Sequence, residues 1–229
     1  VYDAIGAKIA QKVGFEAMFQ TGYGTSATLF GMPDYGFIGA TETIENARRI
    51  CGSVSVPVIV DSDTGYGNAL SVWKLVNELQ AAGAAGMFLE DQRWPKRCGH
   101  MAGKEVVETE EYVEKLQAAV DAKKSKDFII VARTDARATR GLDEAIERAK
   151  LYKKIGADVV FVEAPRSIEE MKKMKLLGFL NLNEAEADKF IVKYSFHEKK
   201  INELRSELDK LSGEMRKSLK NNSDKSKLS

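Results

Sequence analysis

The sequence predicts a parallel α/β fold, either a doubly wound sheet or a TIM-type (β/α) barrel cut short after five βα units, on three observations. Short apolar runs alternate with longer amphipathic stretches through the first three quarters of the 229 residues. The runs are rich in Val, Ile, Phe or Met and short enough to be buried parallel strands. Each run ends in polar residues, and parallel α/β folds build their sites at the carboxyl ends of strands.

In chain order, Tyr2-Asp3 precedes a helix over residues 4–13. Because the sequence opens at Val1 inside that helix start, further residues are expected upstream. Strands are predicted over 17–20, 58–61, 86–90, 129–133 and 159–163. Helical spacing covers 42–51, 70–82, 109–123 and 142–155, with Thr41, Thr109 and Gly141 near the starts and Gly83 and Gly156 at stops. The rhythm fails after about Met174, which divides the chain into a barrel portion, 1–174, and a helical tail, 175–229. In the tail Phe190, Tyr194, Ile201, Leu204, Leu208, Leu211 and Met215 fall at alternating four and three spacing, with His197 in one slot. A coiled-coil seam and a single amphipathic helix lying on the barrel both satisfy this pattern. Ser226-Lys227-Leu228 would read as a peroxisomal address only at the terminus, and Ser229 follows it.

Bulk composition narrows the function classes. The 35 basic and 34 acidic residues leave a net charge of +1, so there is no global attraction to nucleic acid or to an anionic membrane. Only Cys51 and Cys98 are present, which is no disulfide framework and fits a reducing, cytoplasmic setting. No apolar run approaches the roughly 20 residues of a membrane span.

The strand ends carry the chemistry. Val58-Ile59-Val60 runs into Asp61-Ser62-Asp63-Thr64-Gly65, Met87-Phe88-Leu89 into Glu90-Asp91-Gln92, Ile129-Ile130-Val131 into Ala132-Arg133-Thr134-Asp135, and the last strand ends in Glu163. Carboxylates gathered on one rim repel unless a cation sits among them, and hard oxygen ligands suit Mg2+ or Mn2+. The plainer alternative is that these acids cap helices or pair with Lys96, Arg97 and Arg133. Gly22-Tyr23-Gly24-Thr25-Ser26 offers amides and hydroxyls as a cradle for a carboxylate or phosphate. Cys98 stands in Lys96-Arg97-Cys98-Gly99-His100, where two cations and an imidazole would favour a thiolate able to act as acid or base.

Taken together, VYDA, TGYGTSA, GMPDYG, DSDTGYG, LEDQRWPKRCGH, ARTDA and VEAP resemble, in order, the isocitrate lyase and phosphoenolpyruvate mutase superfamily. The likeness covers residues 1–174 and is strongest to methylisocitrate lyase and its oxaloacetase and dimethylmalate lyase relatives. It implies an eight-unit barrel with Mg2+ at its carboxyl rim, often in a dimer or tetramer that exchanges a C-terminal helix. Asp61, Asp63 and Glu90 would hold the metal, partly through water. Thr21, Gly22 and Tyr23 would bind a substrate carboxylate and 2-oxo group. Arg133 would clamp a carboxylate, and Asp34, Gly99 and Glu163 would complete the substrate site. Residues 96–100 match the family's gate, whose cysteine protonates the departing carbanion. Lys96, Arg97, Cys98, His100 and Arg133 are therefore the expected catalytic set, for carbon–carbon cleavage of a small 2-hydroxy or 2-oxo di- or tricarboxylate. Phosphonate mutases lack this cysteine, so Cys98 favours a lyase. The family's later βα units do not align with residues 175–229, which leaves a second expectation: an inactive barrel remnant that serves as an oligomeric interaction protein.

Overall fold

A computed structural model describes residues 1–99, 101, 103–168, 170, 171, 200, 201, 203, 204 and 206. Its elements run α1 (Ala4–Val13), β1 (Met18–Gln20), α2 (Gly22–Phe30), α3 (Ala40–Cys51), β2 (Val58–Asp61), α4 (Ala69–Ala81), β3 (Gly86–Glu90), α5 (Thr109–Asp121), β4 (Ile129–Thr134), α6 (Ala136–Thr139), α7 (Leu142–Ile155) and β5 (Val159–Val162). The five strands form one parallel sheet in the order β1-β2-β3-β4-β5. A doubly wound sheet would reverse direction at a switch point, and this order does not. Each new strand adds to the same side, as in a barrel, and β1 and β5 are the edges of the sheet among the described residues.

Strand alternation sorts the side chains onto two faces. Met18, Val58, Val60, Met87, Leu89, Ile130, Val160 and Val162 are buried. Most of them share one core with Val72, Leu75 and Leu79 of α4, Leu116 of α5 and Ile146 of α7. The opposite face carries Phe19, Phe88 and Phe161 in an edge-to-face row, with ring centroids 4.9 and 5.6 Å apart. By the same alternation Asp61, Glu90 and Arg133 stand on that second face, at its carboxyl rim.

Two predicted boundaries need correction. The third helix begins at Ala40, one residue before Thr41: Gly39 is the N-cap, and its N–H donates to Glu42 Oε2 at 3.0 Å, so the reciprocal acid and not the threonine sets the start. The TGYGTSA segment, to which helical spacing assigned no element, is a helix. Thr21 caps it by accepting from Gly24 N, and glycine content alone had concealed a good N-cap.

The chain divides into two compact units, Val1–Leu180 and Asn181–Ser229. In the second, residues 200, 201, 203, 204 and 206 are helical, among them Ile201 and Leu204 of the heptad pattern. The rest of that pattern lies outside the described residues. No helix among the described residues is long and apolar enough to cross a membrane.

Candidate active site

The acidic side of the rim is built at the ends of β2 and β3. Asp61 closes β2, and its Oδ2 accepts from Gly22 N at 3.1 Å, tying the head of α2 to the strand end. Gly22 eases this close approach, because a Cβ would sit 3.0 Å from Asp61 Oδ2 and 3.4 Å from Asp63 Oδ1. Asp63 holds a left-handed backbone with φ 48°, an uncommon conformation that an aspartate tolerates better than most residues. Its carbonyl accepts from Glu90 N at 2.9 Å, which locks the ends of β2 and β3 together.

Burial, then the charge of Asp61, push the Asp63 carboxyl up to about 7, against the opposing pull of Lys96. Burial raises Glu90 well above the usual carboxylate range, and Arg133 only partly offsets it. Glu90 Oε1 is buried without a hydrogen-bond partner.

Arg133, near the end of β4, supplies the basic side. Its Nε lies 3.4 Å from Glu90 Oε2, and its Nη2 lies 3.6 Å from Glu163 Oε2. Asp135 fixes the guanidinium from behind, accepting from Nε at 2.9 Å and from Nη2 at 3.1 Å. This two-point grip leaves the arginine plane oriented before any ligand arrives.

The segment between β3 and α5 lies over this rim. Gln92 holds its first half by exchanging side-chain bonds with Arg97 N and O at 3.0 and 2.9 Å. Lys96 Nζ reaches Asp34 Oδ1 at 2.5 Å and Asp63 Oδ1 at 2.7 Å. Burial opposes its charge, but Asp63, Asp61, Glu90 and Asp34 outweigh burial and hold the ammonium above the usual lysine range. Gly99 approaches the arginine so closely that a Cβ would meet Arg133 Nη2 at 2.6 Å and Glu163 Oε1 at 2.9 Å. Half-buried Cys98 is its neighbour. Gly99→Ala is therefore expected to displace the guanidinium and to weaken the hold of Arg133 on a small carboxylate about tenfold, by analogy with small misplacements elsewhere in oriented sites. Isothermal titration measures the affinity, and an unchanged thermal midpoint would show that the fold is intact.

The predicted residues sort plainly. Asp61, Asp63, Glu90, Lys96, Asp34, Gly99, Arg133 and Glu163 are joined by the contacts given above. Thr21 and Gly22 sit at the head of α2 beside Asp61, where Gly22 N donates to that carboxylate and Gly24 N donates to Thr21 Oγ1. Tyr23 is exposed. Arg97 is anchored through its backbone to Gln92, while His100 lies outside the described residues. Sequence reasoning missed Lys104, whose place beyond the gate motif gave no signal, and Asp135, which lies inside ARTDA beside the arginine that motif was read for.

Residues 1–182 match the family model described as phosphoenolpyruvate phosphomutase. The chain belongs to the phosphoenolpyruvate mutase and isocitrate lyase superfamily. Among curated members, 2,3-dimethylmalate lyase of Eubacterium barkeri is 50% identical over 173 residues, covering 76% of this chain and 60% of that protein. A 2-methylisocitrate lyase of Aeropyrum pernix is 46% identical over 172 residues, 75% of this chain and 55% of that enzyme. The chain thus spans little more than half the length of these relatives. Oxaloacetate acetylhydrolase, solved with the inhibitor 3,3-difluorooxalacetate, superposes with a TM-score of 0.75 at 39% identity, over 77% of this chain and 61% of that one. Phosphonopyruvate hydrolase, solved with oxalate and Mg2+, gives 0.69 at 32% identity, over 76% and 60%.

Superfamily membership raises the question of whether these side chains suit a divalent cation. Among the described residues no three His, Cys, Asp or Glu side chains close around one point, so a shell of direct protein ligands alone is not formed. The donor chemistry nevertheless fits a hard ion held partly through water: Glu90 Oε1 is an unsatisfied buried oxygen, and Asp61 and Asp63 crowd one glycine.

Proposed function

We propose that the chain carries the site of a Mg2+-dependent carbon–carbon lyase acting on a small 2-hydroxy or 2-oxo di- or tricarboxylate, as methylisocitrate and dimethylmalate lyases do. The observation that carries this reading is the placement of Gly99, next to Cys98, against Arg133 and Glu163 on the rim that also bears Asp61, Asp63 and Glu90. Superfamily relatives crystallised with oxalate and with an oxaloacetate analogue support the ligand class.

Asp61, Asp63 and Glu90 would hold the cation, which supplies positive charge to stabilise an enolate-like product. Arg133, pre-oriented by Asp135, binds one substrate carboxylate and meets charge that grows there as the carbon–carbon bond breaks. In retro-aldol cleavage of a 2-hydroxy acid the hydroxyl loses its proton to solvent and becomes a carbonyl, and the carbon–carbon bonding pair is left on the carbon next to a carboxyl group. The Cys98 Sγ–H gives its proton to that carbon, and the thiolate left behind sits in a segment carrying Lys96 and Arg97. Lys96 and Gly99, packed against the rim, would keep water from it while this happens. A 2-hydroxy or 2-oxo acid that turns over only with Mg2+ or Mn2+ would support the assignment. Turnover indifferent to metal and to Cys98 would end it.

The acids also set a pH dependence. A carboxyl raised in the folded state contributes stability below its unfolded value and loses it as pH climbs through the folded one, so Asp63 costs the metal-free chain stability between roughly pH 4 and 7. Cation binding must expel that proton, so affinity for Mg2+ should be roughly thirtyfold weaker at pH 5.5 than at pH 8 from Asp63 alone. Thermal unfolding checks this: Mg2+ should raise the midpoint at pH 8 and much less at pH 5.5.

A second reading has its own observation. Phe19 and Phe161 are exposed on the uncovered sheet face, and β1 and β5 present unpaired edges among the described residues. A chain in this state would act as an oligomeric interaction protein, binding copies of itself through those edges. Light scattering at catalytic concentrations separates the readings, since a monomer that turns over substrate excludes the second. A mutase acting on phosphonates is tested in the same assay by offering phosphonopyruvate.

A further inference from the structure

We propose that Lys104 is a positioning residue that ties the placement of Gly99 to the orientation of Arg133. Its ammonium donates to Gly99 O at 2.7 Å and to Asp135 Oδ1 at 2.6 Å. The same Asp135 Oδ1 accepts from Arg133 Nη2, and Asp135 Oδ2 accepts from Arg133 Nε. One carboxylate therefore serves two cations, one from the covering segment and one from the sheet. Gly99, the other partner of Lys104, is the residue whose backbone lies against Arg133 and Glu163. Lys104, Gly99, Arg133 and Asp135 thus form a closed ring of contacts, and none can move without disturbing the next.

The burial of this ring argues against a merely structural role. The Lys104 side chain is 3% exposed and that of Asp135 is fully buried. Taking such a pair out of water costs about as much as its attraction returns, and an apolar pair of similar volume would hold the fold at least as well. What the ammonium adds is direction. It draws Gly99 down onto the rim, and it shares the charge of Asp135, so that the guanidinium is held in plane without being drawn wholly back from its open side. With Lys104 removed, Asp135 would have Arg133 as its sole cationic partner among these contacts, and the carbonyl of Gly99 would lose its anchor.

The role rests on the carboxylate-binding reading for its ligand, but not for its effect on the segment, and the test separates the two. Cys98 reports on the segment and Cys51, in the core beside Ile50, is an internal reference. Lys104→Met is expected to speed alkylation of Cys98 by iodoacetamide about tenfold, resolved by peptide mass spectrometry, with Cys51 unchanged. It should also weaken oxalate binding in the presence of Mg2+ about tenfold, and Lys104→Arg should restore most of both. Should the methionine variant unfold, Lys104→Gln carries the same reading. Cys98 no more reactive than in the parent chain, in whichever variant folds, overturns the proposal, as does an arginine variant no better than methionine. If oxalate fails to bind even the parent chain while Cys98 still responds, the carboxylate-site reading falls and the coupling stands.

Discussion

Asp91→Ala is expected to destabilise the chain by about 3–5 kcal/mol, the cost of removing a buried carboxylate on which one cation and three neutral donors converge. Asp91 follows β3 and is fully buried, where it accepts from Thr134 Oγ1 at 2.6 Å, Asp135 N at 2.9 Å, Tyr152 OH at 2.9 Å and Arg148 Nη1 at 3.1 Å. Arg148 is itself 2% exposed; it keeps Glu144 Oε1 at 3.0 Å and Val107 O at 2.9 Å, but it loses its buried carboxylate partner while three neutral donors lose their acceptor. Those donors come from the end of β4 and from α7, so this one side chain joins β3, β4 and α7 beneath the rim. Urea unfolding measures the loss, and Asp91→Asn, which keeps an acceptor, should cost less. A loss under about 1 kcal/mol would mean that the donors find other partners when the acid is gone. Because Asp135 N is among them, a folded Asp91 variant should also bind oxalate more weakly, through the guanidinium that Asp135 orients.

Cys98→Ser should lower turnover of the preferred 2-hydroxy acid by about a hundredfold or more, the usual worth of a positioned general acid. Serine keeps the size and the hydrogen-bonding capacity but is a far weaker acid than a thiol, so it fills the space without delivering the proton. Oxalate needs no proton from the enzyme, and its affinity should change less than about twofold. Kinetics and calorimetry on the same preparation give both numbers. A variant that loses oxalate affinity in step with turnover would assign Cys98 to binding instead of proton transfer.

The parallel α/β architecture was legible because its signals are local. The strand runs at 58–61 and 86–90 are short, apolar and end in charge, and α7 begins and ends at the residues that helical spacing marks. The choice between a doubly wound sheet and a barrel-like winding was not local, since it depends on which side of the sheet each crossover lands. Periodicity left it open, the family resemblance favoured the barrel, and the strand order agrees with that winding.

The site divides in the same way. Residue types at strand ends named Asp61, Asp63, Glu90 and Arg133, because a strand directs its last residues to a known rim. Which atoms meet there was a tertiary matter. Sequence order cannot show that Asp61 spends an oxygen on Gly22 N, that Lys96 enters the acidic cluster, or that Lys104 and Arg133, 29 positions apart, share one carboxylate. Nor could it separate Asp91, an acid at a strand end like its neighbour Glu90, from the ligand-facing group: strand alternation turns one carboxylate to the rim and the next into the core, where four donors hold it.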